Sequence, residues 1–66
     1  MYYTIFQNNS TRYLWFKKFK SKEKQKRAIV AVTRLTNNNH YDNFTNLVNV
    51  KSKIKQINKM VKYMKY

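Results

Sequence analysis

The clearest hydrophobic pattern in the chain is a series of large aliphatic residues in its C-terminal third. They recur at spacings of three and four residues over about three heptads, which is the period of one face of an α-helix. We therefore predict a C-terminal helix that buries this face as the centre of the hydrophobic core. The aliphatic face consists of Leu47, Val50, Ile54, Ile57, Val61 and Met64.

A row of lysines is predicted on the side of this helix opposite the aliphatic face. No acidic residue follows Asp42 in the chain, so these lysines have no oppositely charged partner three or four residues away. Their charge is therefore available to an anionic partner. The row consists of Lys51, Lys55, Lys59 and Lys62.

Two segments at the N-terminus have the composition of β-strands. Residues 1–7 and 12–19 are rich in aromatic and β-branched side chains, which favour extended structure. The turn between them is predicted at residues 8–10, because the chain has no glycine and asparagine is the next residue that tolerates positive φ. Both faces of the second strand are partly apolar, so we expect one face to pack on helices and the other to remain an exposed aromatic surface.

The middle of the chain predicts a second helix, from Lys22 to Thr36. Ser21 suits its N-cap and Glu23 its first turn. The alternative is that residues 28–36, which are rich in β-branched side chains, form a third strand that pairs with a fourth at residues 44–50. In the helical interpretation, the buried side consists of Ala28, Ile29, Val32 and Leu35.

An asparagine-rich stretch between the two helices is predicted to be irregular. Asn37 suits the left-handed residue that ends a helix, residues 40–43 are expected to form a short loop, and Asp42 or Asn43 is expected to cap the final helix. The sequence thus predicts a single α+β domain over residues 1–66, with an N-terminal β-hairpin packed on two helices. The alternative fold is a four-stranded antiparallel sheet plus a C-terminal helix.

The inventory of reactive side chains is small. The 66 residues include no cysteine and one histidine, which excludes zinc fingers, iron–sulfur clusters and c-type haem attachment. We therefore predict no metal and no cofactor. The only carboxylate side chains belong to Glu23 and Asp42, and His40 with Asp42 fits a turn and a cap better than an acid–base pair. We predict that the protein is not an enzyme.

The charge of the chain is strongly unbalanced. Fifteen Lys and Arg residues oppose two acidic residues, for a net charge of +13. Abundant Lys, Asn, Tyr and Ile are typical of AT-rich coding sequences, but the same bias would supply acidic residues nearly as readily. The scarcity of acids therefore indicates a polyanionic partner.

Nucleic acid is the partner that the pattern favours, because aromatic residues are interleaved with the basic ones at residues 15–19 and 62–66. Twelve Lys against three Arg indicate backbone contact with little sequence specificity, on DNA or RNA. The candidate contacts are Lys17, Lys18, Lys20, Lys22, Lys24, Lys26, Arg27, Lys51, Lys55, Lys59, Lys62, Trp15, Tyr63, Arg12 and Arg34. The three arginines, Arg12, Arg27 and Arg34, are the only candidates for specific contacts.

Two other functional classes remain open. The basic surface could dock on an acidic protein or in the nucleic-acid channel of a larger nucleoprotein complex, as small inhibitors or accessory proteins of phages and mobile elements do. A membrane-active cationic peptide is the third class, although the strands fit it poorly. No apolar run is long enough for a signal peptide or a membrane span, so we expect a cytoplasmic protein without a membrane partner. Repulsion between lysines favours a monomer or a weak homo-oligomer.

Overall fold

The computed structural model describes residues 1–64, which form a three-stranded antiparallel sheet and two helices. The predicted α+β class is confirmed. The strands are β1 (Tyr2–Asn8), β2 (Leu14–Phe19) and β3 (Asn38–Phe44), and they lie in the order β2-β1-β3. The helices are α1 (Lys22–Leu35) and α2 (Leu47–Met64). Helix α1 connects β2 to β3, and α2 follows β3.

The central strand β1 is covered on both of its faces. Thr4, Ile5 and Phe6 are three successive residues with no solvent exposure, and successive side chains of a strand point to opposite faces of the sheet. Ile5 packs with Leu14 and Val50 in the core beneath α2, whereas the hydroxyl of Thr4 accepts a hydrogen bond from Gln25 of α1. The two helices therefore lie on opposite faces of the sheet.

This arrangement corrects the predicted fold. The β1–β2 hairpin exists, but the helices flank the sheet on two sides instead of packing together around the aliphatic face of α2. The four-stranded alternative is also wrong, because residues 28–35 are helical and residues 47–50 begin α2. The third strand falls where irregular structure was predicted, and it pairs with β1 along the edge opposite β2.

The aliphatic face of α2 lies against the sheet as predicted. Val50 is fully buried, and Ile54 and Ile57 pack beside it. Met64 is the exception, with 74% of its surface exposed. Burial of an aliphatic side chain stabilises the fold by about 1.5–3 kcal/mol relative to exposure, so this small cluster is a main source of stability.

The face of the sheet beneath α1 is polar by comparison. The side-chain amide Nε2 of Gln25 lies 2.8 Å from Thr4 Oγ1 and 3.2 Å from Asn43 Oδ1, and Thr4 Oγ1 donates to the same Asn43 oxygen at 2.9 Å. Phe6 completes this face by stacking on Trp15, with their ring centroids 4.8 Å apart. Hydrogen bonds thus join α1 to strands β1 and β3 where an apolar core would otherwise be expected.

Helix α1 begins as predicted and ends differently. Ser21 accepts a hydrogen bond from the backbone N–H of Lys24, and Glu23 occupies the first turn. The C-cap is Thr36, in an extended conformation, instead of a left-handed Asn37. Leu35, which was predicted on the buried side of α1, is 83% exposed.

The turn between β1 and β2 and the start of α2 also differ from the predictions. The positive φ falls on Arg12, at 69°, because the Asn8 side chain accepts from the backbone N–H groups of Ser10 and Thr11 and holds the turn in a tight form. At α2, Asn46 accepts from the N–H of Val48, whereas Asp42 and Asn43 belong to β3.

Candidate nucleic-acid interface

Helix α2 is attached to the edge strand β2 by one side chain. Asn58 Oδ1 accepts a hydrogen bond from the backbone N–H of Leu14 at 2.6 Å, and Asn58 Nδ2 donates to the carbonyl oxygen of Leu14 at 3.1 Å. Leu14 is the first residue of β2 and has 4% of its surface exposed. This paired contact fixes which flank of α2 faces the β2 edge.

The flank of α2 that carries Asn58 also carries lysines. Residues three, four and seven positions apart lie in one row along a helix, and Lys55, Lys51 and Lys62 stand at those spacings from Asn58. All three lysines are exposed. Because Asn58 binds the backbone of β2, this row of lysines lies along the β2 edge of the sheet.

The row and the strand run side by side in opposite directions. Asn58 lies at the Leu14 end of β2, whereas Asn49, near the other end of α2, lines a cavity with Tyr2, which pairs with Phe19 at the far end of β2. Lys51 is about 10 Å along the helix from Asn58, and Lys18 is about 13 Å along the strand from Leu14. Lys18 pairs with Tyr3, which packs against the core beneath α2, so Lys18 and Lys51 lie on the same side of the sheet at similar levels.

Strand β2 contributes basic and aromatic side chains to the same edge. Lys17 and Lys18 are exposed on opposite faces of the strand, and Trp15 and Phe16 keep 37% and 36% of their surfaces in solvent. We call this area the β2 edge surface. It consists of Phe16, Lys18, Lys51, Lys55 and Lys62 on the α2 side of the sheet, and of Trp15 and Lys17 on the α1 side.

The two aromatic residues of the β2 edge surface are each fixed by a neighbour. One face of Trp15 stacks on Phe6 at an interplanar angle of 28°, and its indole N–H donates to Asn38 Oδ1 at 2.9 Å. The Phe16 ring meets Tyr3 edge to face, at a centroid distance of 6.2 Å. Both rings thus pack in the sheet and present the rest of their surface to solvent.

The basic residues of α1 lie on the other side of the sheet from the lysine row of α2, because the two helices cover opposite faces. Lys22 and Lys26 line a cavity on the β3 side of α1, and Lys24 lies about 160° around the helix from Lys26. The remaining candidates of this segment are also exposed: Lys20 before the helix, and Arg27 and Arg34 within it.

The other predicted contacts are dispersed. Arg12 lies in the turn before β2, where it lines a shallow cavity with the last turn of α2. Lys59 and Tyr63 are exposed on the outer side of α2, and Tyr63 is 69% exposed. Lys65 and Tyr66, at the end of the interleaved C-terminal segment, lie outside the described residues.

The positive charge of residues 1–64 is almost uncompensated. Within that range the one ion pair joins Arg27 to Glu23 at 3.0 Å, and both side chains are largely exposed. No lysine described by the structure pairs with a carboxylate, and neither β2 nor α2 contains an acidic residue. The β2 edge surface is therefore a source of positive potential with no local counter-charge.

The residue that organises this surface, Asn58, was missed by the sequence analysis. The sequence did contain a sign of its role. Asn58 is the one amide in a row that otherwise contains lysines, and it borders the aliphatic face of the helix. Phe16 was likewise not among the candidate contacts. Phe16 lies on an edge strand because β3 pairs with the other side of β1, and the sequence did not predict β3.

His40 and Asp42 are not arranged as a catalytic pair in the structure. His40 Nε2 lies 3.0 Å from Asn43 Oδ1, and Asp42 Oδ1 accepts from the backbone N–H of Asn43 at 2.8 Å. Both residues are exposed on β3. No three His, Asp or Glu side chains within residues 1–64 are grouped closely enough to hold a metal ion.

Neither helix of the part that the structure describes has both the length and the apolar character needed to cross a membrane. Comparisons with models of protein families, with curated proteins and with solved structures find no match to this chain.

Proposed function

We propose that this protein binds the phosphate backbone of DNA or RNA, with little sequence specificity, through the β2 edge surface. The observation that supports this most is the paired hydrogen bond between Asn58 and Leu14. It holds the lysine row of α2 beside the β2 edge, on the side of the sheet that also carries Lys18.

The dimensions of the surface suit a linear polyanion. From Lys51 to Lys62 the row extends about 16 Å along the helix axis. A DNA duplex carries one charge per about 1.7 Å of its axis, so the row spans about ten phosphates. Each lysine that neutralises a phosphate releases a condensed counterion, and that release favours binding.

The side chains of the β2 edge surface favour positioning on the backbone over recognition of base sequence. Its basic residues are all lysines, which act as point charges and lack the planar fork that lets arginine recognise guanine. Trp15 and Phe16 add exposed aromatic surface, on which unpaired bases of any sequence can stack.

A salt titration tests this proposal. Binding to a DNA duplex, a DNA single strand and a structured RNA should weaken steeply with salt, with a slope of log K against log salt near −5 if about six phosphates are contacted. In the double variant Lys51→Gln/Lys55→Gln the slope should become shallower by about 2. Fluorescence anisotropy at several ionic strengths measures both quantities.

The matched control is Arg27→Gln/Arg34→Gln, which removes the same charge from the outer side of α1, away from the β2 edge surface. It should change the affinity much less than the α2 variant does. Equal losses in the two variants would show that net charge matters and the β2 edge surface does not. If no nucleic acid binds at low salt, the proposal is wrong and an acidic protein surface becomes the partner to search for.

A further inference from the structure

A cavity lies at the end of the sheet where β1 begins and β3 ends. It has a volume of about 490 Å³ and is bordered by Tyr2 of β1, by the first turns of α1, by the end of β3 and by the start of α2. A volume of this size falls within the range of small-molecule sites, about 300–1,000 Å³. Nothing in the sequence patterns indicated a site here, because its walls come from four elements.

One wall of this cavity is basic and aromatic. Lys22 and Lys26 stand one turn apart on α1, and the ring of Tyr2 lies beside them, with the Lys22 ammonium nitrogen 5.9 Å from its centroid. Two ammonium groups with no carboxylate among the residues that line the cavity attract a phosphate. The tyrosine ring offers a surface on which a planar group can stack.

The opposite wall consists mainly of side-chain amides. Asn43, Asn46 and Asn49 line it. The side-chain oxygens of Asn43 and Asn46 already accept hydrogen bonds within the protein, so these two residues offer N–H donors, whereas the Asn49 amide can offer both a donor and an acceptor. Such donors and acceptors can match the hydrogen-bonding edges of a nucleobase. The first turn of α2 belongs to the same wall and contains no acidic residue.

From this combination we propose that the cavity binds a single nucleotide, with its phosphate against Lys22 and Lys26 and its base between Tyr2 and the asparagine amides. The choice of ligand class rests on the proposed function. In a polymer, the nucleotide would be an unpaired residue or a strand end, bound separately from the backbone that contacts the β2 edge surface.

Calorimetric titration of the full chain with adenosine 5′-monophosphate at low salt tests this proposal, with inorganic phosphate and adenosine as separate probes. The monophosphate should bind at least about tenfold more tightly than either fragment, since each contributes part of the contacts. Phosphate alone binding as tightly as the nucleotide would overturn the assignment, and so would the absence of nucleotide binding.

Two pairs of variants locate the site. Lys26→Gln should weaken binding of the monophosphate by about tenfold, whereas Lys24→Gln, the same change on the other flank of α1, should leave it within about twofold of the parent protein. Asn49→Asp should abolish binding by placing a negative charge in the cavity, whereas Ser52→Asp, on the outer side of α2, should have little effect. Equal losses within either pair would refute the site.

The two proposals can fail separately. Lys51→Gln/Lys55→Gln should weaken binding of polymers and spare the monophosphate, which is bound in the cavity beside Lys22 and Lys26. Polymer binding without nucleotide binding would leave the proposed function intact and remove this inference. If the protein binds the monophosphate through Lys26 but binds no polymer, this inference would stand and the proposed function would be wrong.

Discussion

The two faces of the sheet are attached to their helices by different chemistry. Beneath α2 the contacts are aliphatic, between Ile5, Leu14 and Val50. Beneath α1 the fully buried Thr4 and the 7% exposed Gln25 are hydrogen-bonded to each other. An apolar contact tolerates rearrangement of its neighbours, whereas a buried polar network is stabilising only when each member has its partners. Substitutions on the two faces should therefore have effects of different size and kind.

The largest effect should come from the aliphatic face. Ile5→Ala removes a fully buried side chain and should lower the free energy of unfolding by about 2–5 kcal/mol, through lost burial and the cavity left behind. A domain of this size can unfold as a result. Urea denaturation followed by circular dichroism measures the change. Val48→Ala, at a position 70% exposed on α2, should cost less than about 0.5 kcal/mol, and a similar cost at both positions would contradict the assignment of the core.

The next effect should come from the polar face. Gln25→Leu removes the donor to the Thr4 hydroxyl and one of the donors to Asn43 Oδ1, and should lower the free energy of unfolding by about 1–3 kcal/mol. Gln56→Leu, an exposed position of α2, is the control.

A triple variant sharpens this comparison between the faces. When Gln25→Leu is combined with Thr4→Val and Asn43→Val, the hydrogen bonds among these three side chains are removed together and none of the three keeps an unpaired polar atom. Most of the stability should then return. Additive losses in the triple variant would show that the three residues act independently and do not form a network.

A smaller effect is expected at the contact between α2 and β2. Asn58→Ala removes two hydrogen bonds to Leu14 and should cost about 1–2 kcal/mol of unfolding free energy. It should also weaken nucleic-acid binding at a temperature where the protein is still folded, because the lysine row is no longer held at the β2 edge. Unchanged nucleic-acid binding by Asn58→Ala would show that the β2 edge surface does not need the hydrogen bonds between Asn58 and Leu14.

The aliphatic face was predictable from sequence and the polar face was not. The spacing from Leu47 to Val61 identifies α2 and its buried side, because a hydrophobic helix face repeats at a fixed period. Strand β3 has no such pattern, since its seven residues are mainly asparagine and other polar types. Pairing with β1 and amide hydrogen bonds such as that from Trp15 to Asn38 stabilise it, and contacts between residues far apart in sequence leave no local pattern.

The same distinction applies to the candidate site. The exposed lysines of β2 and α2 were predicted individually from charge and helical spacing. Their common surface could not be predicted, because it depends on Asn58 meeting the edge of a sheet whose strand order is set by β3. The separation of the α1 lysines from this surface follows from the same strand order.

The position of β2 has a consequence for colloidal behaviour. An edge strand leaves one row of backbone N–H and C=O groups unpaired, and such a row can template intermolecular strand addition. Lys17 and Lys18 flank this row on the two faces of the strand, so two copies that approach β2 to β2 meet like charges. Electrostatic repulsion therefore opposes strand addition at this edge, and this protection should weaken as ionic strength rises.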